Sequence, residues 1–135
     1  MNIDIIKTLN KVTNIFRGSY ALGIICKDDL NTLYALRKTS PLIIARGKDE
    51  NYIASDVPAI LKYTNKYILL DDFEIAKISF NNIEVYNDKL KLVNKDTLEF
   101  QGTYESSVKN GYEHFMLKEI NENTLTVKNT VKDYL

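Results

Sequence analysis

The feature that most constrains the fold is a series of short apolar runs, separated by polar turns, between Tyr20 and Val93. Runs of this length match the usual length of strands and are too short for most helices. The segments between them are rich in Asp, Asn, Lys and Gly, the residue types typical of turns. Because short turns join antiparallel strands, the series predicts a mainly antiparallel sheet.

Two pairs of these runs predict hairpins. Tyr20–Cys26 is almost continuously apolar, which predicts a strand buried on both faces. A polar turn follows, and Leu33–Leu36 is the predicted return strand. Ile83–Tyr86 and Leu90–Val93 form the second predicted hairpin. The other predicted strands are Leu42–Ala45, Tyr52–Ala54, Tyr67–Leu70 and Glu74–Phe80.

The amino-terminal segment has helical periodicity. Ile5, Leu9, Val12 and Phe16 recur at spacings of four, three and four residues, which places them on one face of a helix. Gly18 follows the last apolar position and is the predicted carboxy-terminal stop. The pattern predicts an amphipathic helix that packs on a sheet.

The remaining segments complete an α+β pattern. Residues 55–58, Ser-Asp-Val-Pro, form a typical helix start, so we expect a short helix from Val57 to Tyr63. Asn94–Asn110 is polar and predicted to be irregular, and Tyr112–Ile120 and Leu125–Leu135 are predicted helices. The order of helix, strands, short helix, strands and terminal helices favours an α+β layer fold with a mainly antiparallel sheet.

Composition excludes several classes of protein. With 135 residues, 18 of them basic and 18 acidic, the chain is expected to form one domain with no net field to attract nucleic acid or an anionic membrane. No stretch approaches the roughly 20 apolar residues of a membrane span. The start, Met1-Asn2-Ile3-Asp4, lacks the basic and apolar regions of a secretory signal. We therefore expect a cytoplasmic protein with no nucleic-acid or membrane partner.

The single cysteine and the single histidine are the first candidates for chemistry. One cysteine cannot form an intramolecular disulfide, and these two residues are too few for a Cys/His zinc site. Cys26 ends an apolar run, which predicts a buried structural thiol. His114 lies in a predicted helix, on the same face as Lys118. A lone histidine is more often a packing or hydrogen-bonding residue than a catalyst, and we expect that here.

The charged clusters also lack a catalytic pattern. Asp28-Asp29, Asp49-Glu50 and Asp71-Asp72 fall in predicted turns, where Asp satisfies local backbone groups and remains solvated. Residues 37–41, Arg-Lys-Thr-Ser-Pro, could hold a phosphate, but their charge is predicted to face solvent. We find no glycine-rich phosphate loop. The residues therefore predict no catalytic, cofactor-binding or metal-binding side chain, and no self-contained active site.

A series of motifs follows one another along the chain. They are Arg17–Leu22, Leu33–Lys38, Ser40–Ile44, Glu50–Ala59, Glu74–Ala76 and Gly111–Ile120. Together these motifs resemble the glutaminase domain of glutamine–fructose-6-phosphate aminotransferase, the isomerising enzyme that makes glucosamine 6-phosphate. The resemblance runs from about Arg17 to Glu122, and the order and spacing of the motifs both match.

The resemblance implies a fold and a position within the enzyme. It covers the second half of the amino-terminal glutaminase domain, a class II glutamine amidotransferase. That domain is an N-terminal-nucleophile hydrolase fold, an αββα sandwich with mainly antiparallel sheets. We therefore expect residues 1–135 to be a single partial domain, the C-terminal half of a glutaminase domain. Thr39 and Phe73 stand where the family usually has turn glycines.

The resemblance also implies that the chain is inactive alone. The nucleophile of the family is a cysteine at the mature amino terminus, and it lies before the matched region. The arginine and aspartate that grip glutamine and the Asn-Gly oxyanion hole lie there too. Without a nucleophile, base or oxyanion donors, no catalytic residue is assigned to this chain. L-glutamine and fructose 6-phosphate are then substrates of the full-length enzyme only, and no cofactor is implied.

Three functional hypotheses follow from these observations. The first is a fragment of the aminotransferase. The second is a naturally short, non-catalytic binding or assembly module on the same scaffold, and the third is an independent enzyme that uses Cys26 or His114. Without the first half of the domain, sheet edges and apolar faces should be exposed. We expect another copy of the chain to cover them, which predicts a homo-oligomer.

Overall fold

The chain consists of two compact units, Met1–Gln101 and Gly102–Leu135. The computed structural model describes residues 4–101, 112 and 114–132. The expectation that residues 1–135 form one partial domain stays a prediction. The elements in the described residues are α1 (Ile5–Thr13), β1 (Tyr20–Cys26), β2 (Asp29–Lys38), β3 (Ile43–Arg46), β4 (Asn51–Ala54), β5 (Lys66–Leu69), β6 (Ile75–Ser79), β7 (Ile83–Tyr86), β8 (Leu92–Val93), β9 (Leu98–Glu99) and α2 (Phe115–Val131).

The strands of the first unit form two antiparallel sheets. The first sheet has the order β1-β2-β6-β7-β8, and the second sheet has the order β4-β3-β5-β9. Both predicted hairpins are present, with β1 paired to β2 and β7 paired to β8. The α+β class with mainly antiparallel sheets is therefore confirmed.

Helix α1 covers the outer face of the first sheet. Leu9 packs in a buried cluster with Tyr34, Leu36 and Ile75. The helix begins after Asp4, whose Oδ1 accepts the backbone N–H of Lys7 at 3.1 Å. This bond satisfies one of the free N–H groups at the helix start. The spacing of Ile5 and Leu9 thus predicted the helix and a part of the face that it buries, to which Ile6 and Thr13 also belong.

Helix α1 is shorter than its periodicity indicates. It ends at Thr13 with Asn14 as the C-cap, so Phe16 lies beyond it and is exposed. Gly18 is therefore not the helix cap that we predicted. Its φ of 83° instead serves the turn that leads into β1, a left-handed conformation that glycine adopts without strain.

The main core lies between the two sheets. The outer face of the second sheet carries a smaller cluster, in which Ile60 covers Ile43 and Ala45. The order of layers is therefore helix, sheet, sheet and a covering turn segment at residues 55–64. The buried residues between the sheets are Ala35, Leu42, Ile44, Leu70, Ala76, Ile78 and Val85.

The short helix predicted from Val57 to Tyr63 is wrong. The bonds from Ile60 N to Val57 O (3.0 Å) and from Tyr63 N to Ile60 O (2.8 Å) each span three residues, and the segment forms successive turns. Asp56 still caps the first turn, since its Oδ1 accepts the N–H of Ala59 at 3.2 Å. Burial of Ile60 against the second sheet requires only this compact turn, not a regular helix.

Strand β1 differs from its prediction in burial. Its residues alternate between half-buried and exposed, so it is not buried on both faces. Leu22 and Ile24 face α1, whereas Ala21, Gly23 and Ile25 are exposed. The reason is position: β1 is the edge strand of the first sheet.

One helix replaces the two predicted near the carboxy terminus. Helix α2 runs without a break from Phe115 to Val131. The polar residues between the two predicted helices lie within α2, and the side chain of Asn121 donates to the carbonyl of Leu117 at 2.7 Å. Neither glycine nor proline occurs in α2, so nothing interrupts the helical bonds. Residues 102–111, 113 and 133–135, which include parts of the predicted irregular segment and final helix, lie outside the described residues.

Candidate functional site

Cys26 lies at the end of β1 and is half-buried. Its side chain packs against the cluster of Leu9, Tyr34, Leu36 and Ile75, on the side of the sheet that faces α1. This is the environment of a small apolar residue, since a reactive thiol needs exposure and a nearby positive charge. Cys26 is thus less buried than predicted, and its structural role stays a prediction.

His114 lies just before α2 instead of within it. It occupies the N-cap position with extended backbone angles, and its carbonyl accepts the N–H of Lys118 at 3.2 Å. His114 and Cys26 belong to different units. The expected packing or hydrogen-bonding role of His114 stays a prediction.

The acidic pairs interact with hydrogen-bond donors. Asp29 accepts the hydroxyls of Thr32 at 2.9 Å and Tyr34 at 2.8 Å, and these bonds, led by that of Tyr34, lower the pKa of its carboxyl. Glu50 accepts the hydroxyl of Tyr52 at 2.5 Å. Asp29, whose lowered pKa keeps its carboxyl ionised, stabilises local structure and is a poor general acid.

The basic segment at residues 37–41 does not present all its charge to solvent. The Arg37 side chain is only 18% exposed, and it donates to the carbonyl of Leu70 and to Asp72, each at 2.9 Å. The expectation that this charge faces solvent is therefore wrong for Arg37. The sequence alone could not show that Asp72, 35 residues away, would be its partner.

In the part of the chain that the structure describes, no cluster of three or more His, Cys, Asp or Glu side chains could hold a metal ion. Across residues 4–101 and 114–132, neither helix is long and apolar enough to span a membrane.

The most distinctive surface is the side of the sandwich formed by β1 and β4, which we call the open side. These strands are edges of the first and second sheets. A Cβ built on Gly23 of β1 would lie 3.8 Å from Cδ1 of Ile53 in β4, so the two edges run close together. Edge strands carry backbone N–H and C=O groups that can pair with another strand.

A cleft of about 290 Å³ lies at one end of the open side. Its rim contains three large exposed apolar side chains, Ile25, Leu30 and Phe80. Asn51 fastens the two sheets beside it, because its side-chain amide donates to the carbonyls of Ser79 at 2.8 Å and Phe80 at 3.2 Å. Exposed apolar side chains beside free sheet edges are typical of a surface that contacts another polypeptide.

Comparisons with known proteins give one consistent result. Glutamine–fructose-6-phosphate aminotransferase (isomerizing) of Caldanaerobacter subterraneus subsp. tengcongensis is 45% identical over 131 residues, which covers 97% of this chain and 22% of the relative. The enzyme of the same name from Thermococcus kodakarensis is 43% identical over 126 residues, covering 93% of this chain and 21% of the relative. That of Fusobacterium nucleatum is 40% identical over 131 residues, covering 97% and 22%.

These matches concern only a part of each enzyme, since the chain spans about a fifth of the length of the curated relatives that it matches. No family model matches the chain. The family resemblance read from the sequence motifs is nevertheless confirmed: nearly the whole chain is related to one segment of glutamine–fructose-6-phosphate aminotransferase.

Proposed function

We propose that this chain is the C-terminal half of the glutamine-hydrolysing domain of a glutamine–fructose-6-phosphate aminotransferase. The observation that carries this proposal is the 45% identity over 131 residues to such an enzyme. Two antiparallel sheets packed face to face beneath a helix support it, because they agree with part of the expected αββα sandwich of an N-terminal-nucleophile hydrolase.

In the whole enzyme, the reaction has two stages. A cysteine nucleophile attacks the amide carbon of L-glutamine and releases ammonia, which is then transferred to fructose 6-phosphate to give glucosamine 6-phosphate. The chemistry requires a nucleophile and preformed oxyanion donors. The role proposed for this chain is to support these groups. Cys26 does not supply the nucleophile, since its side chain packs in the cluster below α1.

The open side supports this role, because β1 and β4 are, within the part of the chain that the structure describes, edge strands on the same side of the sandwich. In the proposed domain, the half that carries the nucleophile covers this side. When the chain is alone in the cytoplasm, we expect a second copy to cover it and form a homo-oligomer. A measurement of molecular mass in solution at several concentrations tests this; a monomer at every concentration contradicts it.

The test of the proposed function is a glutaminase assay on three proteins. The first is this chain alone, the second is a fusion to the amino-terminal half of the Caldanaerobacter glutaminase domain, and the third is that fusion with its terminal cysteine changed to Ala. We expect ammonia from glutamine only with the second protein. A folded fusion without activity would overturn the proposal, and so would ammonia release by the chain alone.

A matched variant separates the two cysteines. Cys26→Ala in the active fusion should leave ammonia release unchanged, because the thiol packs as a small apolar group. Loss of activity in this variant, with the fold retained, would instead favour the hypothesis of an independent enzyme that uses Cys26. If the two halves of the fusion pack into one folded domain that releases no ammonia, the result would favour a non-catalytic assembly module.

A further inference from the structure

Two crossings between the sheets meet at one end of the sandwich. The first crossing, residues 39–42, joins β2 to β3, and the second, residues 70–74, joins β5 to β6. Each contains a residue other than glycine with left-handed backbone angles: Thr39 has a φ of 65° and Phe73 a φ of 67°. For a β-branched residue such as Thr39 this conformation is a strained outlier.

Asp72 connects the two crossings. Its Oδ1 accepts the backbone N–H of Thr39 at 2.8 Å and an N–H of Arg37 at 2.9 Å. Arg37 also donates to the carbonyl of Leu70 at 2.9 Å, at the start of the second crossing. One carboxylate oxygen therefore holds the end of β2, the strained Thr39 and the second crossing together.

Further contacts hold the second crossing in place. The N–H of Phe73 donates to the carbonyl of Arg37 at 2.9 Å, and the Lys38 ammonium lies 5.4 Å from the centre of the Phe73 ring. Lys95 pairs with Asp71 at 2.8 Å and Glu74 at 2.9 Å. The crossing thus stays in place by several contacts, whereas Asp72 is the side chain that binds the amide of Thr39.

We propose that Asp72 holds Thr39 in its left-handed conformation and so locks the first crossing, residues 39–42, to the second crossing, residues 70–74. Strained backbone persists only where its surroundings specify it. The proposal does not depend on glutamine chemistry, and it is independent of the proposed function. Its direct consequence is that Thr39 relaxes to an unstrained conformation when Asp72 is removed or protonated.

At neutral pH, the groups around Asp72 keep its carboxyl ionised, so that it accepts the N–H of Thr39. The N–H of Thr39 has the largest effect, and together with Arg37 and Lys38 it lowers the pKa of Asp72 below the usual 3.8, although burial opposes this. A carboxyl group whose pKa is lowered on folding stabilises the folded state. This stabilisation is lost as the pH falls through the lowered pKa. The charged or titratable groups around Asp72 are Arg37 and Lys38 of β2, Tyr20 of β1, Asp71 and Glu74 of its own crossing, and Lys95, which pairs with both.

A double-mutant cycle on the full chain tests the lock. Urea unfolding is measured for the unchanged chain, Thr39→Gly, Asp72→Ala and the double variant. Thr39→Gly removes the backbone strain at residue 39. It should therefore raise the folding equilibrium constant more in the unchanged chain than in Asp72→Ala, in which Thr39 has already relaxed. The two effects should differ by about fivefold or more, the factor that corresponds to left-handed strain. The effect of glycine on the unfolded chain cancels in this comparison.

A pH titration of the unchanged chain is the second test. The amide resonance of Thr39 should shift in NMR spectra with a midpoint below pH 3.8, as Asp72 is protonated. Asp71→Asn is the matched control, because Asp71 pairs with Lys95 and should leave this transition intact. Asp72→Asn should abolish it. If Thr39→Gly changes the folding equilibrium constant equally with and without Asp72, the proposal is overturned. It is also overturned if the amide resonance of Thr39 does not shift when Asp72 is protonated.

Discussion

The open side and the opposite side of the sandwich differ in how their edges end. On the open side, β1 and β4 are the sheet edges among the described strands, with exposed apolar side chains near them. The opposite side, which we call the bridged side, has β8 and β9 as edges, and residues 94–97 join them directly. Lys95 in this connection reaches the second crossing and pairs with Asp71 and Glu74.

The difference shows which side the chain completes by itself. The edges of the bridged side are only two residues long, and short edges offer little backbone for pairing. On the open side, β1 is seven residues long and carries Ala21, Gly23 and Ile25 exposed on one face. A long apolar edge strand invites another strand, so the open side is where a second polypeptide is expected.

The largest expected effect compares one lysine substitution on each side. Ile25 is 72% exposed on the open side, and Leu92 is 64% exposed on the bridged side. In the chain alone, Ile25→Lys and Leu92→Lys should each change the free energy of unfolding by no more than about 0.5 kcal/mol. In the fusion with the amino-terminal half, Ile25→Lys should lower ammonia release at least about tenfold, because burial of an unpaired ammonium is costly.

Leu92→Lys is the matched control and should leave that activity near its original value. Equal losses from the two substitutions would break the comparison, because the open side would then have no special part in assembly.

The next effect tests the ion pairs of the bridged side. The Lys95 side chain is 16% exposed, and its partner Glu74 is 10% exposed. Lys95→Met should lower the free energy of unfolding by about 2 kcal/mol, since it leaves a buried carboxylate without its cation. Urea unfolding at pH 7 measures this. The exposed Lys89→Met is the control, and an equal loss there would show that the Lys95 pairs are not special.

The same pairs have a pH signature. Burial works against the charge of Lys95, but the bonds that its ammonium donates to Asp71 and Glu74 outweigh it and raise the pKa of the ammonium above 10.5. A group whose pKa is raised on folding contributes stability below its unfolded pKa and loses it as pH rises. The unchanged chain should lose free energy of unfolding above about pH 10.5, as Lys95 loses its proton. Lys95→Met should lack this contribution to the loss.

A smaller effect is expected at the hairpin of the open side. Burial, and then the bond that its hydroxyl donates to Asp29, raise the pKa of Tyr34 well above its ordinary 10. Tyr34→Phe should lower the free energy of unfolding by about 1 kcal/mol at pH 7 and reduce the loss of stability above pH 10. The exposed Tyr63→Phe is the control in the same pH series. A pH profile unchanged by Tyr34→Phe would contradict the assignment.

The last comparison, in which one of the two changes should be close to neutral, concerns two glycines near the edge strand. Gly18 has a φ of 83° and a built Cβ there meets nothing within 4 Å, so Gly18→Ala should cost about 1 kcal/mol from backbone strain alone. Gly23→Ala in β1 should be neutral or slightly stabilising, because its Cβ would make an ordinary contact with Ile53. Thermal unfolding separates them, and a larger loss at Gly23 would contradict the geometry.

Local pattern predicted the elements well where neighbours in sequence decide them. The spacing of Ile5 and Leu9 predicted α1, and the run of Tyr20–Cys26 matched β1. The pattern was wrong where packing decided the outcome. The segment from Val57 needed only turns to bury Ile60, and β1 proved to be an edge strand with one exposed face.

The candidate sites show the same division. The motifs carried the relationship that the comparisons confirm, and the apolar run before Cys26 predicted a buried thiol, whereas the structure has it half-buried. The pair of Arg37 and Asp72 was not foreseen. The only local signals were an arginine at the end of a predicted strand and an acidic turn, and nothing in their spacing connects them.

The sequence by itself determined the class of structure and the relationship to the aminotransferase, because strand periodicity, turn residues and motif order are local properties of the chain. Only the tertiary structure decided which strands became edges, which charges were paired and which backbone was strained. Strand order depends on contacts between distant residues, such as Arg37 with Asp72 or Lys95 with Glu74. Their free energy arises from burial and geometry that form only after the two sheets have packed together.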